Sequence, residues 1–588
     1  MRVSLNRPAL FVIASYLLLS ALPLAPLLFG RPVVEPLLLA AATCFAWVAI
    51  WAVFKRPALF HILLLPAFLA LPVEIYLQIY FQQGISPHHL GIIAETSPKE
   101  ALEFLGNKIW LLGAVLLLSL AWFGMTWRAA WRIRGLDWTG ASRAVVLVLL
   151  GAGLGLWLYG GAAQQPGTGP AGLPASRGAG TLPAWARMSI NAPVFARSWP
   201  YGIVMHLQSF WKERRYLAQL SERSSRFRFG AYQASHRDEP QVVVMVLGES
   251  SRADRWSLNG YTRRTNPRLE QEANLVNLSD MVSPVSATRL SVPVIMSRKP
   301  ATQSLRAGFS EKSFLSAYRE AGFKTFWLSN QMSFGEFDTP VSVYAKEADV
   351  TRFLNLGGIT NSTNHDDVLL APLQNAINDP ARRKLIVLHT LGNHWNYSQR
   401  HPKEFDHWQP SLFGIDKPAY TSLKLKTQIN NSYDNSILYT DWLLSQIVRK
   451  LKAGPSLSTM IYVADHGQTL YDGSCKLAFH GHNTQFEFHV PALVWYSDAY
   501  REAYPDKVAQ LLEHKNAPLA TENIFHSLLD LADIRYATEQ LDRSIFSSRL
   551  TRHVRYVDSY GWTDYDDATF KGDCREVIAN RKPLAREK

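Results

Sequence analysis

The chain has 588 residues, 47% of them hydrophobic and only 19% charged, with 18 Trp, 3 Cys and a formal net charge of +13. That apolar and aromatic content excludes a disordered chain, and three Cys allow one bridge at most, which excludes a disulfide-built scaffold. The length leaves room for two to four domains, and the charge by itself suits nucleic acid, an anionic membrane or acidic substrates.

The first 160 residues read as a membrane sector. Uncharged stretches lie between Arg7 and Arg31 and between Glu35 and Lys55; further apolar runs cover Pro57 to about Phe81, Ile109–Trp127, and Ala144 to about Ala162. A helix rises about 1.5 Å per residue, so about 20 such residues cross a hydrocarbon core. Five buried helices of a soluble protein would need amphipathic stripes and polar caps that these runs lack. Arg2 and Arg7, then Lys55 and Arg56, then Arg128, Arg132, Arg134 and Arg143 fall in alternate short loops. This bias places the N-terminus in the cytoplasm, and an odd number of spans exports everything after residue 163. The first span is expected to stay as an anchor, because it is long and has no clear small-residue cleavage site.

Residues 164–239 are expected to link and bridge. The Gly-, Pro- and Ala-rich stretch 162–184 has linker composition, and Ser198–Ser225 alternates apolar with basic residues at helical spacing. Such a helix suits a membrane surface or an ordinary packed contact equally. The charge is uneven. Residues 1–160 carry 11 Lys+Arg against 6 Asp+Glu, residues 161–240 carry 10 against 4, and residues 241–588 carry 40 against 38. The excess therefore belongs to topology-setting loops and the linker, not to a nucleic-acid surface.

From residue 240 the pattern becomes short apolar strands alternating with helical stretches: "QVVVMVLGES", "KTFWLSNQ", "KLIVLHTLGNH", "TMIYVADHG" and "VPALVWYS". Continuous apolar runs of this kind predict a mostly parallel sheet covered on both faces, with ligands at the carboxyl ends of its strands. Four of the five runs end in polar or metal-type residues: Glu249, Asn330, His389 with His394, and Asp465 with His466. Two acids, a His and a hydroxyl make a donor set that suits Zn²⁺ without excluding Mn²⁺ or Mg²⁺. The hydroxyl candidates are Ser283, Ser286, Thr288 and Ser291, among which composition does not choose. Two His-rich loops, with His389 and His394 in one and His480, His482 and His489 in the other, suit phosphoryl oxygens or a second metal.

Taken together, "VLGESSRADRWSLNGYTRRTNP", "SATRLSVPVIMS", "LHTLGNHWNYSQRHP" and "DHGQTLYD" resemble the membrane phosphoethanolamine transferases of the alkaline-phosphatase and sulfatase superfamily. Those bacterial inner-membrane enzymes decorate lipid A or core sugars of lipopolysaccharide and include the polymyxin (colistin) resistance transferases. The resemblance implies a five-helix transmembrane bundle (1–163), a bridging segment (164–239) and a periplasmic catalytic α/β domain (240–588) of the alkaline-phosphatase/sulfatase type. It implies Thr288 as a zinc-bound nucleophile, with Glu249, Asp465 and His466 as the remaining zinc ligands. His394 and His480 are implied to contact the phosphoryl group or a second zinc, as are His482 and His389 less directly, and Asn330 matches a donor-binding Asn. The donor implied is phosphatidylethanolamine, the acceptor lipopolysaccharide or lipid A, and the enzyme a monomer with no nucleic-acid partner.

Three features depart from the family pattern. Pro284 and Val294 stand where many lipid A enzymes have Cys, Gln468 stands where a Glu is common after "DHG", and "TRLS" and "WLSNQ" lean toward the branch that acts on core heptose. Cys475 and Cys574 both fall in the exported part, where an oxidising compartment allows them to bridge. A phosphoglycerol transferase or phosphodiesterase of the same superfamily would use the same residues. A membrane scaffold with an inactive exported domain is the alternative of another class.

Overall fold

The N-terminal apolar runs form helices, the state that satisfies backbone polar groups within the segment itself. The computed structural model describes the chain except residues 1–6, 30–32, 34, 81–83, 86–88, 91–92, 94–107, 134, 163–191, 236–237, 304–309, 333–338, 356–363, 416–421, 474–476, 481–483, 559–561, 572–575 and 580–588. Helices α1 (Arg7–Ala21), α2 (Pro36–Phe54), α3 (Leu65–Tyr80), α4 (Lys108–Arg132) and α5 (Ala141–Ala162) follow the five runs. Among the described residues, four helical stretches are long and apolar enough to cross a membrane: Arg7–Ala25, Pro36–Phe54, Pro57–Gln78 and Ile109–Arg132. Within α5 the described apolar stretch, Ala141–Gly155, is shorter.

The described residues divide into two compact units, Met1–Lys212 and Glu213–Lys588, with the division inside α6 (Gly202–Ser224). In the first unit Leu17, Leu18, Leu117, Leu118, Val148 and Leu149 are exposed, as a lipid-facing surface requires. Several of its interior polar groups are paired. Tyr16 Oη lies 3.1 Å from His61 Nδ1, His61 Nε2 lies 3.1 Å from the Phe123 carbonyl, and Trp122 Nε1 donates to Ser15 Oγ at 3.0 Å. Such contacts hold helices together where burial of apolar surface gives no driving force. The loop 92–105, most of the linker and the Cys475–Cys574 pair fall largely or wholly outside the described residues.

The second unit is built on an eight-stranded sheet. Its strands are β1 (Gln241–Gly248), β2 (Leu275–Val282), β3 (Lys324–Ser329), β4 (Val350–Phe353), β5 (Arg383–His389), β6 (Leu457–Ala464), β7 (His489–Tyr496) and β8 (Leu519–Ala520), in the order β8-β2-β7-β6-β1-β5-β3-β4. The sheet is mixed. Five pairings are parallel, and β7 runs antiparallel to both β2 and β6. An apolar run carries no sign of its direction, so the sequence does not distinguish β7 from its neighbours. Every residue of β1 and β6 is buried, the mark of strands covered on both faces. On one face, Ile429, Tyr433, Ile437, Leu444, Ile447 and Val448 of α8 (Lys426–Lys452) join one hydrophobic cluster with Val242, Val244, Val246, Ile386, Leu388 and Met460. At roughly 1.5–3 kcal/mol for each large side chain buried, this contact gives the edge beyond β1, β5 and β6 a rigid base.

Candidate metal centre and active site

Register brings the site together. Gly248 pairs with Ala464, and Leu247 with His389, so the residues that follow β1 and β6 emerge side by side. Glu249 leaves β1, Asp465 and His466 leave β6, and Thr288 opens α7 (Thr288–Met296) after the loop that follows β2. The Glu249, Asp465 and His466 side chains are buried, and one ligand atom from each lies within 4.8 Å of the others. Thr288 Oγ1 donates to Glu249 Oε2 at 3.0 Å and lies 3.3 Å from His466 Nε2. Its place on the first turn of α7 also lets the helix dipole favour negative charge on that oxygen.

The surrounding bonds orient each donor. His466 Nδ1 lies 2.8 Å from the Gly467 carbonyl, so Nδ1 carries the proton and Nε2 turns a lone pair on the cluster. That Nε2 is 3.4 Å from Glu249 Oε1 and 3.6 Å from Asp465 Oδ2. Asp465 Oδ1 accepts the Ser250 and His466 backbone N–H groups at 3.0 and 2.7 Å. Asp465 Oδ2 is buried and, among the described residues, accepts no hydrogen bond. Burial, and then the Asp465 carboxylate beside it, push the Glu249 carboxyl well above its usual range. Two carboxylates held this close in a dry site call for a cation. An orphaned carboxylate oxygen, a second carboxylate, an aimed imidazole nitrogen and a hydroxyl fit a divalent metal of the Zn²⁺ type.

Of the four candidate hydroxyls, Thr288 is the one whose described bonds reach the ligand side chains of this cluster. Ser283 Oγ donates to the Asp465 and Val285 carbonyls at 2.5 and 3.1 Å, and Ser291 Oγ donates to the Thr288 carbonyl at 3.3 Å. Ser286 is buried and has contacts of its own. The His480 ring lies 4.5 Å from that of His466 and 5.8 Å from that of His394, so the two loop histidines adjoin the cluster. Loss of solvation, and then Arg400, push His394 down to about 3, leaving a neutral ring whose Nδ1 faces the Trp395 carbonyl at 2.8 Å. His389 turns to Ser329 Oγ at 3.1 Å. The Asn330 amide donates to Asp366 at 2.9 Å and accepts from Asn364 at 2.6 Å, so it is engaged away from the cluster. His482 lies outside the described residues.

Several contributors escape a sequence reading. Asp366 accepts the backbone N–H groups of Leu391 and Gly392, both at 2.8 Å, and so shapes the turn before His394. Gln331 Nε2 donates to the Thr390 carbonyl at 2.8 Å and lies 3.4 Å from Glu249 Oε2. Neither residue belongs to a spaced motif. Gly392, with φ of +51°, lies so close to Glu249 that a Cβ would sit 2.7 Å from its carbonyl oxygen and 2.8 Å from its nitrogen. Gly392→Ala is therefore expected to lower stability by about 2 kcal/mol or more, read as a drop in melting temperature, and to displace Glu249.

A sulfatase family model matches residues 241–534. Over 337 residues the chain is 27% identical to the phosphoethanolamine transferase EptC of Escherichia coli K12, covering 54% of this chain and 56% of that protein. It is 30% identical over 282 residues to the Kdo(2)-lipid A phosphoethanolamine 7''-transferase of the same strain, covering 46% of this chain and 47% of that protein. The chain thus spans about half the length of the curated relatives it matches. The crystal structure of the C-terminal periplasmic domain of EcEptC from E. coli in complex with Zn matches with a TM-score of 0.52 and 24% identity, over 59% of this chain and 98% of that one. This likeness shows the fold of the second unit.

Proposed function

The chain belongs to the sulfatase family, and from that premise we propose that it transfers phosphoethanolamine from phosphatidylethanolamine to lipopolysaccharide, on the core or on lipid A. The observation that carries the reading is Thr288 Oγ1, within hydrogen-bonding reach of both Glu249 and His466 at the edge where β1 and β6 end. The relatives' names support the group transferred, and a substrate pair made of lipids accounts for a chain that opens with apolar helices.

Glu249, Asp465, His466 and Thr288 would hold one zinc ion, with His394 and His480 placed to take phosphoryl oxygens or a second. Bound there, zinc supplies positive charge that makes a hydroxyl more acidic and offsets charge on a transferring phosphoryl group. In the first step Thr288 Oγ1 bonds to the donor phosphorus while the phosphorus–oxygen bond to diacylglycerol breaks. The hydroxyl proton ends on the departing glycerol oxygen, and Glu249 Oε2, which accepts its hydrogen bond at 3.0 Å, is the group placed to take it first. In the second step an acceptor oxygen bonds to phosphorus, its proton returns to Thr288, and the Thr288 oxygen–phosphorus bond breaks. With its Nδ1 facing the Trp395 carbonyl, the neutral His394 ring keeps Nε2 as a lone pair, the form that binds a second metal ion, and His480 lies beside it.

The reading extends to topology: five spans over residues 1–163, an N-terminus in the cytoplasm of a bacterial inner membrane, a bridge over 164–239, and a monomer with residues 240–588 in the periplasm. Cys475 and Cys574 would form a disulfide there. Mass spectrometry of lipopolysaccharide from cells with and without the protein tests the activity. Addition of one phosphoethanolamine unit, localised to core or lipid A, is expected. A glycerophosphate unit, or a free head group with unmodified acceptor, would replace this reading with a phosphoglycerol transferase or a phosphodiesterase.

A further inference from the structure

Arg252 stands three residues after Glu249, and its side chain is 1% exposed. Its Nη1 donates to both oxygens of Asp472 at 2.9 Å and to the Gln468 carbonyl at 3.2 Å. Its Nε and Nη2 donate to the two oxygens of Asp254 at 2.8 and 2.6 Å. The guanidinium lies 4.2 Å from the centre of the Phe486 ring. One planar group thus ties together three segments: the loop that carries Glu249, the loop that follows Asp465 and His466, and the turn before β7.

Each tie is anchored on its far side. Asp472 Oδ2 also accepts the Leu470 N–H at 2.9 Å, which fixes the carboxylate within its loop. Phe486 contributes the carbonyl oxygen against which Gly467 packs, where a Cβ would lie at 2.1 Å. The Arg252 backbone N–H donates to Tyr433 Oη at 3.0 Å, and that hydroxyl donates to the Ser250 carbonyl at 2.7 Å. Burying a guanidinium is costly, and an apolar side chain would serve packing at least as well. The fork geometry of Arg, with donors aimed at two loops at once, is what an apolar residue lacks.

We infer that Arg252 is a positioning residue for the metal centre: it sets the spacing between Glu249 on one loop and Asp465 with His466 on the other, and thereby the affinity for zinc. The inference rests on the zinc reading of the site. Groups that orient metal ligands from behind commonly change affinity 10–100-fold when lost. The test is zinc affinity of the full chain in detergent, measured by competition with a chromogenic chelator, alongside the far-UV circular dichroism of each variant.

Arg252→Met keeps the apolar stem against Phe486, and its zinc Kd is expected to rise at least 10-fold with secondary structure retained. Asp472→Asn keeps the volume and weakens the same tie from the other side, so its Kd is expected to rise in the same direction by less. In the double variant the second substitution should add almost nothing, because the tie is already broken. Arg252→Lys, which keeps the charge but not the fork, should recover only part of the affinity. Wild-type zinc affinity in folded Arg252→Met overturns the inference; if that variant does not fold, wild-type affinity in Asp472→Asn does so. A wild-type chain that takes up no zinc overturns both this inference and the reading beneath it, which separates the two failures.

Discussion

Thr288→Ala is expected to lose phosphoethanolamine transfer by a factor on the order of 10³ or more, the scale on which nucleophile removal acts. The side chain is half-buried on the first turn of α7, and its bond to Glu249 is worth about 1 kcal/mol to the fold. The variant should therefore remain folded, and the loss should be chemical. Intact-mass measurement after incubation with phosphatidylethanolamine distinguishes the cases: the wild-type chain gains the mass of one phosphoethanolamine group, and Thr288→Ala gains none. Thr288→Ser retains the oxygen and should keep measurable transfer and the covalent adduct. A Thr288→Ala protein with wild-type turnover, or a wild-type protein that never carries the group, removes the covalent step.

The second large effect has opposite signs in two states of one variant. Asp465→Asn keeps the oxygen that accepts the Ser250 and His466 N–H groups. It converts the unsatisfied oxygen into an amide beside Glu249, whose carboxyl the Asp465 charge helps to push up. Without metal, relief of that repulsion should stabilise the protein by on the order of 1 kcal/mol. With metal the comparison reverses, because zinc at a thousandfold excess over its Kd adds about 4 kcal/mol to a binding-competent fold. Thermal unfolding of both proteins, with zinc and with a chelator, should therefore cross over. Chelation lowers the wild-type melting temperature, leaves that of Asp465→Asn unchanged, and leaves the variant the more stable of the two. Parallel behaviour of the two proteins would show that Asp465 holds no metal.

Much of the site's position was legible because parallel strands collect their carboxyl ends at one edge. Glu249, His389 and Asp465 each end a run of consecutive apolar residues, and the register places those ends together. The choice among four hydroxyls was not legible from composition. It depends on how the loop after β2 folds back, which commits Ser283 to the Asp465 carbonyl and leaves Thr288 over Glu249. Asp366 was invisible because it works through backbone N–H groups 25 and 26 residues away, for which no side-chain spacing exists. Asn330 shows the reverse case. Its place at the end of β3 suits a ligand, yet its amide is bonded to Asp366 and Asn364. In the membrane sector, hydropathy foretells the helices but not the polar pairs, such as Tyr16 with His61, that fix how they pack.

The reversed direction of β7 has a consequence for how this architecture can diversify. Consecutive parallel strands need a crossover that carries the chain to the opposite end of the sheet before it returns. Between β6 and β7 no such return is needed, so the connection between them leaves and rejoins the sheet at one edge, the edge of Glu249. Asp465 and His466 sit at its root, Phe486 and Glu487 close it, and His480 lies between. A change in the length of this connection would leave the pairing of β6 and β7 and the places of Asp465 and His466 intact. The surroundings of the Glu249–Asp465–His466 cluster can then be remodelled through a single connection, without renegotiating the core.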